Sequence, residues 1–403
     1  MINNRNQKYS SDFRNIADTY GGAMALRGDD ENHQIMLRVL ETISTETDQL
    51  SNRSPKLRHF LDKVEFAFTY SKNINAHAWA TTSGSNIIIT QGLVRYLEMI
   101  VLQLFAVKGL LKGFGEDQFE RSLADGMPIL AFQPESIPIS PAQPETTTYR
   151  LPVTRQRNIL AQICIEFALE FVFWHELGHC ACGHSSFLKR TFGIDMVGEI
   201  GDVIQTVDAL REASHAAEYQ ADLVGIVLAY QAASKGPADE IEKKLLLRSF
   251  SIDLMFWIFT QRAPLDNTSP THPHPQVRSY YKWQFLTSLF SKDERGRLAF
   301  LAKALNFEIR NAFEVLGTPG AQWSWLDNHD VIYGECRTLY ENHLKLERKL
   351  VEGDSVIVNS PSNLLKLICA SRETRVPCNC LVRFCIMSSL PPISSPSGDR
   401  LRL

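Results

Sequence analysis

The chain has 403 residues, 44% of them apolar and 22% charged, and a formal net charge of -3. This is ordinary globular usage with enough apolar side chains for a packed core, and the length suits one large domain or two to three smaller ones. So small a charge gives no basic field to gather nucleic acid and no acidic solvated arm, so nucleic acid is not an expected partner.

The N-terminus, MINNRNQKYSSDFRN, is polar and lacks the apolar run of a secretory signal. No uninterrupted apolar run reaches the roughly 18 residues of a membrane span. The closest, Ile159 to Trp174, carries Gln162, Glu166 and Glu170 and reads as a buried helix. The expectation is a cytoplasmic chain with no transmembrane segment, contact at a membrane surface being left open. Its eight cysteines (Cys164, Cys180, Cys182, Cys336, Cys369, Cys378, Cys380 and Cys385) are expected as free thiols in a reducing compartment. The last three, in CNCLVRFC, match no standard zinc spacing.

In chain order, residues 34–70 are mixed and read as mainly helical, within an N-terminal helical region at 1–70. Ile74 to Ala80 suits a strand, Thr81 to Ser85 a turn containing Gly84, and Asn86 to Ile89 a second, β-branched strand, so the two pair as a hairpin. Thr90 then caps a helix running from Gly92 to near Leu111. Six prolines, Pro128, Pro134, Pro138, Pro141, Pro144 and Pro152, interrupt the stretch at about 112–154. It reads as an insertion with two open interpretations: a lid or substrate gate, or a disordered excursion. Helical character returns from Asn158 to about Gly183 and from Val203 to about Ala233. The turn-rich QRAPLDNTSPTHPHPQ follows, then helices within Val277 to Leu316 and Asp330 to Val351. These divisions give a core at 71–285, a C-terminal helical region at 286–352, and a Ser/Pro/Cys-containing tail at 353–403 that reads as disordered.

The chemistry-bearing feature is His175-Glu176-Leu177-Gly178-His179, an H-E-x-x-H. Residues at i and i+4 stack on one helix face, so both imidazoles reach one ion. Glu176 is turned about 100° around the axis, toward a water on that ion. Gln162, Glu166 and Glu170 form a polar stripe on the opposite face. A catalytic zinc needs a third protein ligand and an open position. H-E-x-x-H-x-x-G-x-x-H would require glycine and histidine where Cys182 and Ser185 stand, so His184 is set aside as a structural residue at the helix end. The third ligand is instead sought in HAAEYQADLVGIVLAY, where His215, Glu218 and Asp222 share a face flanked by small alanines. Glu218 is the expected ligand, and Asp222 the group that orients a ligating histidine through its free ring N–H.

HELGH followed by E-x-x-x-D resembles the gluzincin clan of metallopeptidases that contains the CAAX prenyl proteases and HtpX. INAHAWATTSGSNIIITQGL, Ile74 to Leu93, is similar to the clan's strand and turn before its catalytic helix. Thr271-His272-Pro273, ending at Arg278, resembles its downstream T-H-P…R segment. The pieces span about residues 70–280 in the clan's order. The membrane helices of the prenyl proteases and HtpX have no counterpart here, so their membrane substrates do not carry over. Soluble relatives in this clan and the phage-exclusion peptidase Lit offer a form without membrane helices.

The resemblance implies a mainly helical α+β fold, with a zincin-like core and a small β-hairpin or sheet beside the motif helix. It implies one Zn2+ per chain on His175, His179 and Glu218, Glu176 as general base, and hydrolysis of a protein or peptide. The peptide would extend an edge strand near Ile74 to Ala80 by backbone pairing. His272 stands either as an oxyanion stabiliser or as a turn histidine between prolines. The contrasting expectation is a non-catalytic, zinc-stabilised helical interaction or regulatory protein, in which a closed site holds four protein ligands.

Overall fold

A computed structural model describes residues 9–30, 33–81, 84–112, 117–120, 151–193, 197–198, 208–233, 238–260, 272–288, 303–312, 314 and 329–352. The proline-dense part of the insertion and the tail at 353–403 lie outside the described residues, and the lid reading with them. The fold is α+β and mainly helical: α1 (Ser11–Thr19), α2 (Gln34–Ser51), α3 (Pro55–Leu61), β1 (Val64–Thr69), β2 (Ala76–Ala80), β3 (Ser85–Thr90), α4 (Gln91–Phe105), α5 (Arg155–Cys182), α6 (His184–Phe192), β4 (Val197–Gly198), α7 (Asp208–Ala233), α8 (Ala238–Thr260), α9 (Pro275–Ser288) and α10 (His329–Glu352).

Helix α5 is the axis of the molecule. The Thr154 hydroxyl accepts from the Arg157 amide at 3.3 Å and starts it, and Gly183, at φ 73°, stops it in the left-handed region that favours glycine. By length and composition α5 could cross a membrane, but here it is packed among α2, α4, α7, α8 and the sheet. Its polar stripe meets cations from two neighbours: Glu166 pairs with Arg38 of α2 at 2.5 Å, and Glu170 with Arg248 of α8 at 2.9 Å. The opposite face, carrying His175 and His179, turns to α7.

Two glycines set how closely α5 and α7 approach. A Cβ at Gly178 would stand 2.9 Å from the Ala221 Cα, and one at Gly225 would stand 3.2 Å from the His175 amide nitrogen. Each helix thus presents a bare backbone to the other at the level of the histidines.

The hairpin is present, β2 pairing antiparallel with β3, and Thr90 caps α4 as its hydroxyl accepts from the Leu93 amide. Three expectations are corrected. Val64–Thr69 is not helical but a strand, parallel to β3, because its backbone completes the ladder of a fully buried neighbour. Helix α4 ends at Phe105, where the buried Arg157 guanidinium takes the Phe105 and Leu110 carbonyls at 2.6 and 3.0 Å. Helix α8 was not anticipated. It is apolar around much of its circumference, buried against α5, α7 and α9, and shows no one-sided period. Helix α9 is pinned to α8 by a buried Lys282–Asp253 pair at 2.6 Å. The four described cysteines, Cys164, Cys180, Cys182 and Cys336, are free thiols as expected.

Candidate metal centre

Helices α5 and α7 bring together the three side chains expected to bind metal. His175 and His179 come one above the other from α5, and Glu218 comes from α7. The His175 Nε2 lies 3.3 Å from Glu218 Oε2, and the His179 Nε2 lies 3.3 Å from Glu218 Oε1. The two Nε2 atoms are 3.0 Å apart. One donor atom from each residue falls within 4.8 Å of the others, and all three residues are buried, so the group can hold a metal ion.

The donors fit such an ion on an observation of their own: two imidazole nitrogens converge on the buried Glu218 carboxylate at 3.3 Å each, and around its Oε2 His272 and the Arg278 guanidinium stand no closer than 3.4 and 3.8 Å. A buried carboxylate is costly unless a cation lies against it. Burial pushes the Glu218 carboxyl up, but His272, His179 and the hydrogen bonds from His175 and His179 outweigh it and hold the carboxyl well below its ordinary range.

Asp222 is where the i+4 spacing put it, one turn beyond Glu218. Its Oδ1 lies 2.9 Å from His175 Nδ1, so it fixes that ring with Nε2 free for a metal. Asp222 is itself held by Arg278 of α9, whose Nε and Nη2 donate at 2.8 and 2.7 Å, and by the Tyr281 hydroxyl. Burial raises the Asp222 carboxyl, but the Arg278 charge and the His175 contact bring it below its ordinary value. The T-H-P…R segment thus delivers a positioning cation to the site. Arg278 also covers the Phe256 ring at 4.4 Å.

His272 is buried, its Nε2 3.4 Å from Glu218 Oε2 and outside the three-donor group. Glu176 is 1% exposed, on the same turn as His175. His215 takes no place in the donor group. It lines a cleft of about 440 Å³ together with Arg211, Glu212, Pro273, His274 and Asn342.

The structure also uses residues that the sequence did not single out. His184 lies outside the three-donor group, but it is not a bystander. The left-handed turn at Gly183 swings it back so that its Nδ1 lies 3.0 Å from His179 Nδ1. Its Nε2 lies 2.7 Å from Gln220 Oε1, and Gln220 Nε2 lies 2.8 Å from His343 Nδ1 of α10. Gln220 stands between Glu218 and Asp222 in sequence but about 200° around the helix from Glu218, so spacing alone gave no signal for it.

The edge-strand expectation is corrected. The sheet order is β1-β3-β2-β4, so β2 has partners on both sides. After Gly193, at φ 74°, ends α6, Val197 and Gly198 pair antiparallel with Ala78 and His77.

Compared with protein-family models, with curated proteins and with solved structures, the chain matches none.

Proposed function

We propose that this chain is a zinc-dependent endopeptidase of gluzincin type acting on a protein or peptide. The observation that carries the reading is the convergence of His175, His179 and Glu218 from two helices, with Asp222 behind His175. Tetrahedral zinc with bonds of about 2.0–2.1 Å holds neighbouring donors about 3.3 Å apart. The spacings of 3.0, 3.3 and 3.3 Å support that ion. A purely structural zinc has four protein ligands, and among the described residues only three gather, which favours catalysis over the interaction-module reading.

When bound, zinc would supply Lewis acidity, polarising the scissile carbonyl and lowering the pKa of water. Glu176 takes the proton of the attacking water on its carboxylate and returns it to the departing amine nitrogen. Asp222, locked by Arg278 and Tyr281, keeps the His175 ring from turning. His272, 3.4 Å from Glu218 Oε2, would donate to the developing oxyanion. His175, Glu176, His179, Glu218 and His272 are each at most 3% exposed, so the chain must open before a polypeptide reaches them.

The test is a set of substitutions assayed for metal content and for cleavage of a peptide library. His175→Ala and His179→Ala lose zinc. Glu176→Gln keeps zinc and loses cleavage. Full activity in Glu176→Gln refutes the mechanism, and a wild-type protein that takes up no zinc refutes the metal assignment.

A further inference from the structure

Each ligand histidine needs something to hold its second ring nitrogen. For His175 that is Asp222. For His179 the contact at the second ring nitrogen is His184. We infer that His184, Gln220 and His343 form a one-way hydrogen-bond relay that holds His179 in the tautomer a metal ligand requires, tying helix α10 to the metal centre. The inference rests on His175, His179 and Glu218 binding a metal, and not on peptidase chemistry.

The proton positions follow from the end of the chain that faces the donors. His179 Nε2 points at Glu218 and at His175 Nε2, so its lone pair serves the ion and its hydrogen sits on Nδ1. That N–H donates to His184 Nδ1 at 3.0 Å. The hydrogen of His184 therefore sits on Nε2 and is donated to Gln220 Oε1 at 2.7 Å. The amide N–H of Gln220 donates in turn to His343 Nδ1 at 2.8 Å. The hydrogen of His343 is then on Nε2, facing Glu347 Oε2 at 4.0 Å.

Every link has one donor and one acceptor, and the members are at most 2% exposed, so no water competes for a place in the chain. Gln220 is the element that gives the relay direction. Its amide offers an oxygen on one side and an N–H on the other, and reversing it would set donor against donor at His184 and acceptor against acceptor at His343. A neutral relay also leaves His179 less basic than a carboxylate partner would, so the two ligand rings are tuned differently.

The experiment uses the full chain. Zn2+ affinity is measured by competition with a chromophoric chelator, and the visible absorption of the Co2+ form is recorded, for wild type, His184→Leu, His343→Leu and His343→Asn. Urea titration of each metal-free protein monitors folding. The expected result is a loss of about 10–100-fold in Zn2+ affinity for His184→Leu and of about threefold to tenfold for His343→Leu, with shifted Co2+ bands in both. His343→Asn, whose Oδ1 stands near the position of Nδ1 and accepts from Gln220, restores affinity and spectrum. A merely structural histidine would not be rescued in this way. If His184→Leu fails to fold, the two His343 variants decide. Zn2+ affinities within twofold of a metal-binding wild type in all folded variants overturn the relay. A wild type that binds neither ion overturns the metal assignment, and the relay with it.

Discussion

Gly178→Ala sets two effects of opposite sign against each other at the seam that builds the site. Alanine is favoured over glycine within a helix by about 1 kcal/mol. Against this, the new methyl would stand 2.9 Å from the Ala221 Cα and 3.1 Å from its carbonyl oxygen. Carbon pairs settle at about 3.5–4.0 Å, so α5 and α7 must part by roughly half an ångström or more. The obstruction is backbone, which cannot rotate aside, and overpacking of this kind costs about 1–3 kcal/mol. The clash wins, for an expected net loss of about 1–2 kcal/mol. The larger effect falls on the metal. Ligand distances tolerate only about 0.2 Å, so moving Glu218 away from both histidines weakens binding by at least about tenfold. Urea titration measures the first quantity and chelator competition the second. Gly334 of α10 is the internal control: a Cβ there meets nothing within 4 Å, so Gly334→Ala should stabilise by up to about 1 kcal/mol and leave metal affinity unchanged. If Gly178→Ala behaves like Gly334→Ala, the close approach of α5 and α7 does not position the donors.

Three other outcomes are expected. Arg278→Met leaves Asp222 buried without its cation and should cost about 3–5 kcal/mol, read by chemical denaturation; a loss below 1 kcal/mol would show that Tyr281 and His175 suffice. Burial lowers His184 to about 3, with His179 adding to the shift, and burial lowers His343 to about 4. Unfolding lets both rings take up protons, so their contribution to the metal-free protein is complete above about pH 6.5 and is lost as pH falls toward those values. Near pH 5 the loss is about 2 kcal/mol for each, and a stability flat between pH 7 and 5 in urea titrations would contradict it. Because the donors are buried, zinc release to excess chelator should be first-order with a rate independent of chelator concentration; a rate proportional to chelator would mean an open site.

The parts legible in the sequence were those governed by local geometry. His175 with His179, and Glu218 with Asp222, each span one helical turn, and that spacing fixes a shared face without knowledge of the fold. The hairpin was legible because Gly84 and the β-branched run after it mark its turn and second strand. Strand β1 was missed because VEFAFT takes its identity from β3, which follows it by a hairpin's length. Helix α8 was missed because burial against several neighbours erases the period that reveals an amphipathic helix. The relay was beyond reach for another reason: Gln220 and His343 are 123 residues apart, and only packing brings them to 2.8 Å. Spacing set His184 aside as a ligand, yet spacing alone could not show that the left-handed residue before it would turn its ring onto His179.

The Asp222–Arg278 pair has an effect beyond orientation, on the charge the site accepts. Arg278 pairs with Asp222 and also lies 3.8 Å from Glu218 Oε2, so with neutral imidazoles, of the carboxylates Asp222, Glu218 and Glu176 at the site it offsets one charge. A doubly charged cation makes the enclosure electrically neutral; a monovalent or trivalent ion leaves one unmatched charge away from water, at a cost of several kcal/mol. For an ion held by His175, His179 and Glu218, this count favours a divalent charge, and an arginine outside the three-donor group sets the count.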